Sequence, residues 1–324
     1  MKVSRRTFVT GATLATTFGA QAQQAYPERQ ITAICNFLAG TGGDTFVRFF
    51  GEKLSAILGK PVIVDNRGGA LGNIGTEAAA KSKPDGYTIL IAPGSSTMAA
   101  AQSVFKKLPF DPIKDFIPIT TLSKLAFVIT VDAKSPVKTL AELTAALKAK
   151  GDKATYGAAA NTGLVTGELY KRGAGLAAVQ VAQYRDMQTP LNDLYAGQID
   201  FLTADIPWAV ELAKSGKIRI LATSSDTRAT ALPDVPTMVE AGIKDFGSLT
   251  AWWGVWVAAG TPKPITDRLE AAFNQVTASD DVKKWLNGLG SDVFPGNSKM
   301  LAELLVSETK NWAEYVRLAK IEPQ

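Results

Sequence analysis

From Ile31 onward, apolar runs of strand length alternate with segments of helical period, and this alternation confines the chain to α/β architecture with helix-covered, largely parallel sheets. Ile31–Phe37 reads as a strand. Thr45–Leu58 carries Phe46, Phe49, Phe50, Leu54, Ile57 and Leu58 at helical spacing and stops at Gly59. Pro61–Asp65 and Thr88–Ala92 are the next strands, separated by a turn at Asn66–Ala70 and a small-residue helix around Ile74–Ala80. Two further strands are expected near Phe116–Leu122 and Phe127–Val131. A helix then opens on Thr139-Leu140-Ala141-Glu142, a capping box. Strand and helix continue to alternate as far as Ile218–Thr223, followed by a polar, Pro-rich stretch to Pro236. Ala251–Ala258, with Trp252, Trp253 and Trp256, is the last long strand, and the remainder is helical. One α/β set thus encloses another, with crossings near Phe127 and Trp252. Lobe 1 is expected over 23–126 and 252–324, and lobe 2 over 127–251. The three Trp residues are expected to pack the core and hinge rather than a ligand.

The first residues are set apart from this pattern. Ser4-Arg5-Arg6-Thr7-Phe8-Val9 precedes a mildly apolar stretch and Ala20-Gln21-Ala22, the pattern of a twin-arginine export signal over residues 1–22, cleaved near Ala22. The apolar stretch is shorter than the roughly 20 residues of a membrane anchor. Formal charge is +5 for the whole chain, and loss of Lys2, Arg5 and Arg6 with the signal leaves +2. Basic residues are interspersed with acids, so no nucleic-acid surface is expected.

The chain of 324 residues has one Cys and no His. Cys35 sits in the apolar run Ile31–Cys35 and reads as a small buried hydrophobe. Without His, Ser-His and Cys-His nucleophiles and His-rich metal sites are excluded. An exported hydrolase or isomerase would have to move protons with Asp, Lys or Tyr alone. No catalytic residue, metal or cofactor is assigned.

Three loops share one design, a strand end followed by small and hydroxyl residues and then a helix start: Asn36–Asp44, Ala92–Thr97 and Gly157–Gly163. In open α/β sheets such loops lie at the carboxyl ends of strands, where ligands bind. A helix start offers unpaired amides and about half a positive charge, enough to hold an anion such as a carboxylate without a cationic side chain. Phosphate motifs are absent: the first loop lacks the third Gly of a dinucleotide loop, and there is no Gly-Lys-Ser/Thr. Asp44 reads first as a helix cap and second as a cleft residue. Asp205 reads equally as a cap and as an acceptor facing a ligand.

Eight stretches in order carry a resemblance: Tyr26–Ile31; Phe37, Gly40 and Asp44 before Arg48; Gly59–Arg67; Lys83–Thr88; Leu108–Phe116; Gly197–Asp200; Leu232–Thr237; and Ala259–Pro262. Together they resemble the Bug-type extracytoplasmic receptors of tripartite tricarboxylate transporters. The resemblance implies a two-lobed periplasmic binding protein of type II-like architecture, each lobe a mostly parallel sheet flanked by helices, with two crossover strands. It further implies a non-catalytic, monomeric receptor that closes on a small carboxylate and serves integral membrane subunits of a transporter. A receptor that presents its loaded form to a signalling protein is the alternative. The binding residues implied are Phe37, Leu38, Ala39, Gly40, Thr41, Ser95, Ser96, Thr97, Asn161, Thr162 and Gly163, with Asp205 from the second lobe. The chain departs from the family pattern at Leu38-Ala39-Gly40-Thr41, with Thr at the second Gly position, and at Ala182–Asp186.

Overall fold

The structure is a computed structural model describing residues 26–184 and 186–323, so the export signal lies outside the described residues. In chain order the elements are β1 (Ile31–Cys35), α1 (Gly42–Leu58), β2 (Val62–Asn66), α2 (Asn73–Ala80), β3 (Thr88–Pro93), α3 (Ala101–Val104), β4 (Phe116–Asp132), α4 (Leu140–Lys150), β5 (Thr155–Ala158) and α5 (Asn161–Ala174). They continue with β6 (Gln180–Gln183), α6 (Gln188–Tyr195), β7 (Phe201–Asp205), α7 (Ile206–Lys214), β8 (Ile218–Thr223), β9 (Thr250–Ala258), α8 (Lys263–Ala278), α9 (Asp280–Gly288), β10 (Asp292–Val293) and α10 (Ser298–Leu318).

The expected α/β units are present, and β1 pairs in parallel with β2 and β3, as β5 does with β6 and β7. The strands joining them run the other way: β9 is antiparallel to β3 and β4, and β4 is antiparallel to β7 and β8. Both sheets are therefore mixed, parallel within each α/β set and antiparallel along the crossovers. In β1 and β3 nearly every residue is buried because each has a strand on both sides and helices on its faces. Cys35 is fully buried and unpaired, and burial pushes its thiol above the ordinary value.

Two strands were expected between Phe116 and Val131, but β4 is continuous over 17 residues. The polar interruption at Ser123-Lys124 does not end it, because β9 on one side and β10 on the other supply backbone partners. Residues 116–126 of β4 pair with β9, and from Phe127 onward the partners are β7 and β8. The chain returns at Leu249 and Thr250. Buried Ser224 ties these passages together: its hydroxyl accepts the Phe127 N–H at 2.8 Å and donates to the Leu249 carbonyl, its N–H donates to the Phe127 carbonyl at 2.8 Å, and its carbonyl accepts the Leu249 N–H at 2.8 Å.

Helix α10 packs along this junction. It touches β4, α3 and α5, and its Arg172–Glu314 ion pair with α5 bridges the two α/β sets. Among the described residues no helix is long and apolar enough to cross a membrane, and no cluster of potential metal ligands is present.

Candidate ligand-binding cleft

The loop after β1 is held by its own chain. Thr41 caps α1 through an extended backbone (φ −84°, ψ 166°), its hydroxyl accepting the Asp44 N–H at 3.4 Å and donating to the Leu38 carbonyl at 2.8 Å. The Asp44 carboxylate turns back to accept the Gly40 N–H at 2.9 Å, the Asn66 amide at 2.8 Å and the Arg48 guanidinium at 2.9 Å. This is a capping box shifted by one residue, so the capping reading of Asp44 is the one the geometry supports. Gly40 is required for its φ of +80° rather than for crowding, since an added Cβ would meet nothing within 4 Å.

The Arg48 bond, helped by the Gly40 N–H and the Asn66 amide, outweighs burial and holds the Asp44 carboxyl down at about 2. A carboxyl lowered on folding contributes stability that is fully present above its unfolded value and lost as pH falls through the folded one. Asp44→Asn is therefore expected to flatten the dependence of the thermal midpoint on pH between 3.8 and about 2. An acid limb of unchanged slope in the variant would remove Asp44 from this role.

The second loop is wound as a π-helix over Gly94–Ala99, with the Ala100 N–H reaching the Ser95 carbonyl at 2.9 Å. Such wide turns are frequent at functional sites. Here Ser96 and Thr97 face the cleft, while Ser95 is buried and its Oγ accepts the Trp252 N–H at 3.4 Å. Asn36, also buried, donates from Nδ2 to Thr97 Oγ1 at 3.3 Å, leaving its Oδ1 without a partner.

A further loop, read from sequence as a plain turn, completes this wall. Gly69, Ala70, Leu71 and Gly72 have φ of 119°, 47°, 53° and 96°, a left-handed turn closed by the Gly72 N–H on the Gly69 carbonyl at 2.9 Å. Left-handed backbone costs non-glycine residues about 1–2 kcal/mol each. Strain of this kind gathers at ligand sites.

Across the cleft stands the start of α5. Its N-cap, Ala160, is extended (φ −142°, ψ 157°) and has no side chain to offer, so the amides of the first turn are not capped from within. α1, α4, α7 and α10 receive a side-chain cap, while α2, α3, α6, α8 and α9 do not, so α5 is set apart by the cleft its bare start faces. The cleft between these walls holds about 500 Å³. Seven of the expected residues line it together: Phe37, Leu38, Thr41, Ser96, Thr97, Asn161 and Thr162.

The other five do not. Ala39 and Gly40 lie outside the lining, Ser95 is turned into the core, and Gly163 packs on Thr203. Asp205 caps α7, its carboxylate accepting the Trp208 N–H at 3.0 Å. It is exposed, yet the protein crowding it raises its carboxyl above the ordinary value against that hydrogen bond. Sequence reasoning missed Gly68, Gly69, Leu71 and Gly72, as well as Ala100, Val104, Phe105 and Trp312. The glycines were legible, since Gly68–Gly72 follows a strand and opens a helix as the other loops do. Trp312, 2% exposed and with no partner for its indole N–H, comes from α10 and carries no local signal.

Residues 46–320 match the family described as the tripartite tricarboxylate transporter family receptor. The chain belongs to that family. The receptor is 33% identical over 323 residues to a UPF0065 protein in the tcbD-tcbE intergenic region of a Pseudomonas species, covering 97% of this chain and 94% of the relative. It is 30% identical over 294 residues to protein BugT of Bordetella pertussis, covering 90% of each. Among solved structures it is similar to the periplasmic binding protein BugD, at 30% identity and a TM-score of 0.69, over 92% of this chain and all of that one. It is also similar to Rpa4515 of R. palustris with adipate, at 27% identity and a TM-score of 0.74, over 92% of this chain and all of that one. The family is one of solute-binding receptors, and the α/β architecture of this receptor is that of a two-lobed periplasmic binding protein.

Proposed function

We propose that the receptor is exported to the periplasm by its first 22 residues, captures a small carboxylate by closure of two lobes, and delivers it to the integral membrane subunits of a tripartite transporter. Lobe 1 is taken as residues 23–126 and 252–324, and lobe 2 as 127–251. It acts as a monomer and does no chemistry on the ligand.

The observation that carries this reading is the uncapped start of α5 facing the Gly- and Ser-containing loops across the cleft. Amides of that turn accept an anion without a counter-charge, and the relative solved with adipate is a carboxylate binder of the same fold. Charge-assisted bonds contribute about 1.5–3 kcal/mol each. Two or three of them with apolar enclosure, less the cost of ordering, reach the roughly −8 kcal/mol of micromolar affinity. Closure then follows from the tighter grip of the closed form.

Thermal-shift screening of monocarboxylates, dicarboxylates, amino acids and sugars, followed by calorimetry, tests the proposal. Carboxylates are expected to raise the midpoint, and affinity is expected to fall as the acid protonates. Stabilisation by a sugar or a cation with none by any carboxylate would refute it.

A further inference from the structure

The wall facing α5 holds one buried polar residue whose bonds fix what that wall offers, on the reading that a carboxylate binds in the cleft. Asn36 follows the last residue of β1, is 2% exposed and lines the cavity. Its Nδ2 reaches two hydroxyls, Thr97 Oγ1 at 3.3 Å and Thr76 Oγ1 at 3.5 Å. One side chain thereby joins the end of β1, helix α2 behind the Gly68–Gly72 turn, and the π-helix after β3. Two glycines make room for it. A Cβ on Gly72 would fall 2.7 Å from Nδ2, and one on Gly75 would fall 3.0 Å from Cα and Cβ of Asn36.

The two hydroxyls are not equivalent. Thr76 donates its proton to the Gly72 carbonyl four residues back, at 2.9 Å, as Thr144, Thr166 and Thr309 do in their own helices. A hydroxyl with its proton committed presents lone pairs elsewhere, so the amide of Asn36 turns Nδ2 rather than Oδ1 toward it. That orientation also sets Thr97, which accepts from the same nitrogen. Thr97 Oγ1 donates to nothing among the described residues, so its proton is spare on a residue that lines the cavity.

Stability does not account for this arrangement. Oδ1 of Asn36 has neither a partner nor accessible surface, and a buried acceptor left unpaired destabilises a fold. An apolar side chain of similar size would avoid that loss.

We propose that Asn36 is a positioning residue for the ligand: by donating to Thr97 it holds that hydroxyl as a donor directed to the cleft, where it bonds a ligand oxygen. Asn36 acts through Thr97 and does not itself bond the ligand. Without it the hydroxyl is free to fold its proton back onto its own helix.

A double-mutant cycle read by calorimetry at neutral pH, with adipate, malate and hexanoate as probes, tests this. For the acids that bind the parent protein, Thr97→Val is expected to weaken binding at least about tenfold, the size of one charge-assisted bond, and Thr97→Ser, which restores the hydroxyl, to recover most of that loss. Asn36→Leu is expected to weaken binding about fivefold in the parent background and less than about twofold beside Thr97→Val, since a residue that works through another has nothing left to lose once that one is gone. Asn36→Ala, which adds no bulk between Gly72 and Gly75, replaces the leucine variant if that one does not fold, with the same expectation. Equal losses in both backgrounds would make Asn36 a shaping residue only and overturn the proposal, as would Thr97→Val binding like the parent; either result leaves the carboxylate reading intact. No binding of any of the three acids by the parent protein overturns both.

Discussion

Gly94→Ala is expected to lower stability by more than about 3 kcal/mol and to prevent ligand binding at temperatures where the parent protein is folded. A Cβ at this position would fall 1.7 Å from Cζ3 of Trp252 and 2.2 Å from Cε3 and Cη2 of the same ring. Trp252 cannot step aside. It is 1% exposed and anchored through β9, and its own N–H is bonded to Ser95. Overpacking a core by one methyl commonly costs about 1–3 kcal/mol, and more where a large rigid ring blocks relief. Total stabilities are only about 5–15 kcal/mol. Because Gly94 also opens the π-helix that aims Ser96 and Thr97, the same methyl strikes fold and site together. A denaturation midpoint equal to that of the parent would show that the ring has room the geometry denies it.

Trp312→Ala is expected to cost about 3–5 kcal/mol, the usual range for deleting a buried large aromatic. It should also weaken ligand binding well beyond the effect of Trp312→Phe. The indole is buried, packs edge-on against Tyr315 at 5.9 Å between ring centres, and forms part of the cleft wall. Phe keeps most of the apolar surface while removing an N–H that has no partner, a change close to neutral for hydrogen bonding. Of the six tryptophans Trp312 is the one that lines the cleft, so ligand-dependent change in tryptophan emission is expected to come chiefly from Trp312, with a smaller part from Trp253 stacked on Phe37, and to be strongly reduced in both variants. A signal that persists undiminished in Trp312→Phe would place the reporter elsewhere.

The α/β architecture was legible because its cause is local. Apolar runs such as Ile31–Cys35 and Thr88–Pro93 bury both faces, and helices such as α1 show their core stripe in Phe46, Phe50 and Leu54. What escaped has distant causes. The continuity of β4 through Ser123-Lys124 depends on β9 and β10, more than a hundred residues away. The π-helix at Gly94 depends on the Trp252 ring against which it is laid.

The cleft divides along the same line. That Gly- and Ser-rich strand ends gather there followed from the design of α/β folds, and Phe37, Thr97 and Asn161 do line one cavity. Which atoms those loops leave free did not follow. The Gly40 amide goes to Asp44 and Asp205 goes to the start of α7, caps that the sequence offered beside the ligand-facing readings, while the bond from Ser95 to Trp252 has no local signal. Trp312 reaches the cleft only because α10 returns along the junction of the two sheets.

Ser224 has a mechanical meaning. One buried residue fastens Phe127 on the outgoing strand and Leu249 on the returning one, so the two crossings are pinned at a single height rather than left as independent tethers. In the lobe closure proposed above, bodies pinned in this way would be expected to tilt about the pin rather than slide past one another. Displacement then grows with distance from the axis. Asp205, the register partner of Phe127, stands next to the pin and would sweep through little, while side chains on the rim of the cleft would travel furthest. In the closure proposed above, a small angular play at one serine would thereby be geared into a large opening at the mouth.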